Sequence, residues 1–338
     1  MLRDPLRMQL GVMITRRLLI GTAFISALLA TNTANAFCRT TTCTAADGPC
    51  ARDPETGCVE QGTKLFWPNN CVSFGVQSDA SPTREIDFEE AERAAARAFQ
   101  TWIGADCGDG EVPSIGVVPR GELFCDRVEF HHDPPAPNAN LVVFRDGDWP
   151  HCDTGDPDSP LCNTDPTIAL TTITYVRTTG EILDADIEIN SANVDLTNSD
   201  QNVSTDLQSV LTHEIGHFFG LAHTQVERAT MNARYDAGDL SFRSLHQDDA
   251  AGICAVYRPG DADPGRCDTE RPRGGFSRHC GSESDDPDAA PLQADAACLC
   301  EVPGAGRSPV PGSRLLGFLG LSLLLLGSRR RMDTGNSA

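Results

Sequence analysis

The segment His213-Glu-Ile-Gly-His-Phe-Phe-Gly-Leu-Ala-His223 constrains this chain more than any other part of it. On a helix of 3.6 residues per turn, His213 and His217 project about 40° apart, so two imidazoles can grip one ion. Glu214 lies about 60° round the axis from His217, beside such an ion but free to handle protons. Gly220 suits a helix end because glycine adopts the left-handed conformation without a Cβ penalty. The turn it permits brings His223 back as a third nitrogen ligand. Three protein ligands plus a water form a catalytic zinc site, whereas four protein ligands close a structural one. A bare His-Glu-x-x-His also fits an ordinary amphipathic helix; Gly220 and His223 at this spacing single out the metal reading. One catalytic Zn2+ on His213, His217 and His223 is therefore expected, with Glu214 as the catalytic base.

The rest of the composition says where such a site would operate. The chain has 338 residues, 14 cysteines and a net charge of −21. The cysteines lack a dominant Cys-x-x-Cys pattern, which points to disulfides in an oxidising compartment. The acidic balance argues against nucleic acid as a partner. Arg16-Arg17, the apolar run Leu18 to Leu29 and the small-x-small site Ala34-Asn35-Ala36 read as a signal peptide cut before Phe37, on the ordinary export route. The expected division is a signal peptide at 1–36, a Cys-rich N-terminal segment at 37–63, the zinc domain at 64–258, a Pro/Gly/Asp-rich linker containing cysteines at 259–312, and an apolar tail at 313–338.

Local patterns fill in the zinc domain. Cys71–Gln77 alternates like a strand, and Ile86–Trp102 reads as an amphipathic helix capped by Asp87 and Glu90. Phe99 and Trp102 on its apolar stripe are read as core. Strands are expected at Ser114–Val118, Asn140–Arg145, Thr167–Val176 and Ala185–Asn190, with Cys152 and Cys162 able to close a ring in the loop between them. Asp184, Asp186 and Glu188 alternate on one strand face, which fits either solvated carboxylates or hard oxygen ligands for Ca2+. Thr205 and Gln208 match a capping box at the start of the zinc helix, with Asp206 favouring its dipole. Leu207, Leu211, Ile215 and Phe218 form the stripe that anchors it. A last helix is expected from about Gln247 to Tyr257. His131, His132 and His151 could be metal ligands, but single loop histidines usually are not. Cys38, Cys43, Cys50 and Cys58 suggest a small disulfide-bonded lobe; a thiolate that caps the zinc is the competing reading. The apolar run Leu315 to Leu326, closed by Arg329-Arg330-Arg331, is shorter than the roughly twenty residues of a membrane-spanning helix and suits a sorting signal that contacts the membrane transiently.

From Phe66 to Tyr257 the sequence resembles the metzincin zinc proteases, and the matrixin (matrix metalloprotease) branch in particular. Besides His213–His223, the residues that carry the resemblance are Met231, eight after His223, then Tyr235, Leu245-His-Gln-Asp-Asp249 with Gly252-Ile253 and Tyr257, and Ala98-Phe99-Gln-Thr-Trp102. The resemblance implies an α+β fold: a twisted, mostly parallel five-stranded sheet with an antiparallel edge strand, about three helices, and zinc in a cleft. It implies Met231 as packing support beneath the zinc, Tyr235 and Ala233 at the specificity pocket, and a substrate extended along the edge strand at Ala169, Leu170, Thr171 and Thr172. Three departures stand out. Ala233 occupies a position that is usually proline in the family. The propeptide cysteine motif is absent, since Cys50 lies in Gly-Pro-Cys-Ala-Arg. Leu183 stands near the place of the family's structural-zinc histidine, so one zinc is expected, with Ca2+ left open at Asp184, Asp186 and Glu188. The tail from Cys298 is similar to C-terminal sorting tails of myxobacterial surface proteins, which implies delivery to the cell surface or outer membrane.

Together these readings describe an exported, monomeric zinc endopeptidase whose partner is a protein or peptide substrate. Two alternatives share the scaffold: a non-catalytic surface adhesion module, and a zinc hydrolase of cell-wall peptides.

Overall fold

The computed structural model describes residues 36–44, 47–132, 137–149, 151, 167–260 and 275–279, and the backbone of 317–324. The expected signal peptide before residue 36, the Cys152–Cys162 ring and most of the linker and tail lie outside these residues. The fold is α+β. Its main sheet contains β2 (Cys71–Gln77), β3 (Gly116–Leu123), β4 (Leu141–Phe144), β5 (Thr167–Tyr175) and β6 (Ile182–Ile189) in the order β3-β2-β4-β6-β5. Four of these strands run parallel, and β5 pairs antiparallel with β6. Parallel neighbours need a crossover, and α1 (Phe88–Ile103) supplies it between β2 and β3.

Helix α1 starts where its sequence says it should. The Asp87 carboxylate accepts from the Glu90 backbone N–H, and Glu90 returns the bond to Asp87 N–H. Its buried face is Ala91, Ala94, Ala95, Ala98, Phe99 and Trp102. The alanines let the backbone approach the zinc helix α2 (Leu207–Phe218) closely, and the two aromatics then lock the pair. Phe99 stacks on Phe74 at 4.3 Å between centroids and meets Phe218 edge-on at 5.1 Å. Trp102 Nε1 donates to the Thr212 carbonyl of α2 at 2.6 Å. Trp67 completes the anchor by donating to the Phe218 carbonyl at 2.9 Å, at the helix end.

The start of α2 corrects the sequence reading. Thr205 does not cap it. Thr205 lies in a short extended pair, β7 (Leu196–Thr197) with β8 (Thr205–Asp206), and Gln208 instead accepts from Arg97 Nε at 2.7 Å. Asp206 is the cap: its carboxylate accepts from Ser209 N–H at 2.8 Å and is held in a fork by Arg243. A carboxylate that can serve both the helix terminus and a guanidinium outcompetes a hydroxyl that serves only the terminus.

The acidic face of β6 is a second correction. Asp184, Asp186 and Glu188 are not solvated; they are buried at 3 %, 1 % and 1 % exposure. Asp186 accepts from Leu141 N–H at 2.8 Å, while Glu188 takes Arg145 and His151. Burial, with repulsion from Asp186 on Asp184 and from Glu188 on Asp186, pushes the Asp184 and Asp186 carboxyls well above the ordinary range.

The remaining segments wrap this frame. Helix α3 (Gln247–Val256) is tied to the loop after α1 by a Cys107–Cys254 disulfide. Residues 37–63 hold together through Cys38–Cys58 and Cys43–Cys50, and β1 (Cys38–Arg39) pairs antiparallel with β9 (Leu221–Ala222), just before His223. Cys71 and Cys125 are disulfide-bonded as well. Beyond residue 260 the chain returns: His279 bridges Phe124, and Phe276 bridges Asn138. The apolar tail is not a helix where it is described. Gly317–Leu324 forms β10, antiparallel to β5 on the outer side of the sheet. Among the described residues no helix is long and apolar enough to cross a membrane.

The cap assignment separates two substitutions. Asp206→Ala should lower unfolding free energy by about 2 kcal/mol, because it removes a cap and one carboxylate partner of the half-buried Arg243. Thr205→Ala should cost less than about 1 kcal/mol. Denaturant midpoints on both variants check this, and equal losses would return the cap to Thr205.

Candidate active site

Helix α2 presents His213 and His217 one turn apart, and both ring orientations are fixed from behind. His213 Nδ1–H donates to the Thr230 carbonyl at 2.6 Å, and His217 Nδ1–H donates to the Leu221 carbonyl at 2.9 Å. With Nδ1 carrying the proton, each Nε2 keeps its lone pair facing forward. Gly220, at φ +88°, ends the helix and reverses the chain. A Cβ there would stand 2.6 Å from the Leu65 carbonyl oxygen, so the turn has room for glycine alone. The reversal carries His223 back until its Nε2 is 3.1 Å from that of His213 and 3.2 Å from that of His217.

These distances fit a metal. Zinc–nitrogen bonds of about 2.0–2.1 Å in a tetrahedron place their nitrogens roughly 3.3 Å apart. Burial, and for the two α2 histidines the neighbouring rings, depress the imidazoles: His213 to about 3, His223 to about 4 and His217 well below its usual value. They are neutral at physiological pH, as ligands must be. Among the described residues this is the only trio of metal-ligating side chains whose donor atoms all lie within 4.8 Å of one another. Asp184, Asp186 and Glu188 form no such trio. His151 is engaged with Glu188, His131 with Glu129, and His132 lies edge-on to Phe130.

Glu214 occupies the next position of the helix after His213. It is wholly buried, and Thr171 Oγ1 of β5 donates to its Oε2 at 2.6 Å. Its Oε1 has no partner within the protein. Desolvation pushes this carboxyl up to about 8, against the smaller lowering effect of Thr171. A dication beside it would favour the carboxylate. A buried carboxylate oxygen left unsatisfied by the protein, on the same helix as two of the three histidines, fits a water as its missing partner.

Beneath the histidines, Met231 packs against the helix at Gly216. A Cβ at Gly216 would meet the Met231 sulfur at 2.2 Å and Trp102 at 2.7 Å. The loop carrying Met231 is clamped by Asp249 of α3, whose oxygens accept from Thr230 N–H at 2.7 Å and Met231 N–H at 3.0 Å. Asp249 therefore fixes the Thr230 carbonyl that orients His213. Sequence reasoning saw Asp249 only among the residues that carry the family resemblance, and Thr171 only as part of a strand edge. Neither role has a local signature, because both contacts are long-range. Ala233 lines a cleft of about 520 Å³ with Arg228, Asn232 and Phe242. Tyr235 is buried, its hydroxyl donating to the Asp239 carbonyl and accepting from Asp206 N–H, so it braces the start of α2.

Comparison with known proteins agrees with this geometry. The model of the matrixin family matches residues 164–258. Over 51 residues the chain is 45% identical to "Matrix metalloproteinase-19" of Mus musculus, covering 15% of this chain and 10% of that protein. It is 46% identical over 52 residues to "Metalloendoproteinase 5-MMP" of Arabidopsis thaliana, covering 15% of this chain and 14% of the relative. For "Metalloendoproteinase 1-MMP" of the same plant the identity is 43% over 61 residues, covering 17% and 15%. The chain thus spans a small part of the length of these relatives.

The depressed imidazoles set the pH response of metal binding. A proton competes with a metal only at and below the pKa of the free ligand. With His213 at about 3 and His223 at about 4, the histidines should not compete between pH 5 and 6. Glu214, at about 8, can contribute one proton. The slope of log zinc affinity against pH should therefore stay at or below about one in that window, where three imidazoles titrating at the ordinary 6.5 would approach about three. Competition titration with a chelator at several pH values measures it, and a slope near three would mean the imidazoles are not held as described.

Proposed function

We propose that this chain is a zinc-dependent endopeptidase, exported through an oxidising compartment, that cleaves peptide bonds in proteins. The observation that carries the reading is the convergence of three neutral imidazole nitrogens, with His223 Nε2 at 3.1 and 3.2 Å from the other two, whose helix also carries the buried Glu214 with one unsatisfied oxygen. His213, His217 and His223 would hold the ion. When bound, zinc supplies a Lewis acid that polarises the scissile carbonyl and makes a water nucleophilic near neutral pH. Glu214 Oε1 is placed to take the proton of that water and return it to the leaving amine. Thr171 holds the other oxygen, so the carboxylate cannot rotate away. The backbone of β5 at Ala169–Thr172 would receive the substrate as an added strand, which aligns its peptide bond beside Glu214. Ala233 and the cleft it lines would receive one substrate side chain. The disulfides of residues 37–63 support export. An intact base and a complete ligand set argue against a purely adhesive role.

The mature chain from Phe37 to Gly312, with casein as substrate, tests this directly. Wild type should bind one zinc and cleave, and a chelator should stop it. Glu214→Ala should keep its zinc and lose about 100- to 10,000-fold in rate; undiminished cleavage would remove Glu214 from the reaction. Thr171→Val should lower kcat by about tenfold with zinc unchanged, since only the orientation of the base is lost.

A further inference from the structure

The main sheet ends at β5, and an edge strand offers its outer N–H and C=O groups to one partner only. The sequence of β5, Thr-Ile-Ala-Leu-Thr-Thr-Ile-Thr-Tyr, has no charge, proline or glycine to discourage pairing. Strand β10 takes that edge. It runs antiparallel in a register that goes from Gly317 opposite Tyr175 to Leu324 opposite Thr167, with an irregularity between Ser322 and Leu324. At its centre Gly320, Leu321 and Ser322 face Thr172, Thr171 and Leu170. Thr171 is the residue whose hydroxyl holds Glu214. The segment Gly-Phe-Leu-Gly-Leu-Ser-Leu-Leu is itself uncharged and free of proline, so it pairs without obstruction along its length.

We infer that Gly317–Leu324 is a built-in competitor for the substrate edge, a strand of the chain's own tail that keeps the site closed until it is cut off or drawn away. This rests on the reading of Ala169–Thr172 as the substrate edge. A peptide and β10 would need the same backbone groups of β5, so their occupancies exclude each other. Silencing by a cysteine thiolate has no support in the N-terminal segment, because Cys38, Cys43, Cys50 and Cys58 are all committed to disulfides. The block therefore falls on substrate entry and leaves the metal ligands untouched. Tethering strengthens it: a segment of the same chain can reach an effective concentration on the order of millimolar, so even weak pairing keeps the edge filled.

The test uses the whole mature chain beside its Leu319→Pro/Leu321→Pro form, since proline lacks the N–H and does not fit a strand ladder. Three quantities are read on both: zinc content, hydrogen exchange of the amides in 167–175, and kcat/KM on a peptide substrate. The expected result is unchanged zinc, faster exchange in β5, and kcat/KM raised about tenfold or more. A chain ending at Gly312 should show the same rise, and a free peptide of the β10 sequence flanked by arginines should reverse it. Equal exchange and equal kcat/KM in zinc-loaded proteins would overturn the inference. Faster exchange without a gain in an otherwise active enzyme would overturn it too, because the edge would then be irrelevant to substrate. Faster exchange with no cleavage by any form would uphold the pairing and sink the peptidase reading instead.

Discussion

Three imidazole nitrogens with their lone pairs turned toward one point repel each other, and the protein must hold them there. Most of the fold serves that constraint. Two of the three are fixed by helical geometry, and the helix is fixed by aromatic packing: Trp102, Phe99 and Trp67 grip α2 along its length and at its end. The proton positions are set by carbonyls from two different loops, Thr230 and Leu221. Each carbonyl has its own support, Asp249 for the first and the paired β1 and β9 for the second. Stability and site geometry are thus one network, and loosening any anchor would loosen the nitrogens.

Charge is managed with the same economy. The interior contains several carboxylates, and each is treated differently. Asp206 has a guanidinium and a helix terminus as its partners. Asp249 is pushed upward by burial, yet three backbone N–H groups oppose that shift. Asp184 and Asp186 have neither enough donors nor a cation and are driven toward the neutral form. Glu214 lies between these cases, with one hydroxyl donor and a raised affinity for protons. A group poised in that way changes state when a dication or a proton arrives, which is the property a base needs.

The sequence made the ligand set and the elements that carry it legible, because both are local. Spacing of four and six along the chain fixes His213, His217 and His223, and a capping box fixes where α1 begins. The parallel sheet and its antiparallel edge came through resemblance, not through any pattern in the strands themselves. What escaped was every contact between elements distant in sequence. Thr171 reaching Glu214 spans 43 residues, and Trp102 reaching Thr212 spans 110. The capping error at Thr205 has the same origin: Arg243, far along the chain, gives Asp206 the advantage. Alternation in β6 showed a shared face but could not say that the segment around Leu141 covers it.

The short pairing of β1 with β9 bears on the order in which the site is assembled. His213 and His217 are aligned as soon as α2 forms, whereas His223 depends on a turn braced by Leu65 and by a lobe that two disulfides hold together. Before those bonds close, the lobe lacks a hydrophobic core of its own and cannot back the turn. The third ligand therefore leans on the disulfide-bonded lobe as well as on α2, a support that the two helical histidines do not share.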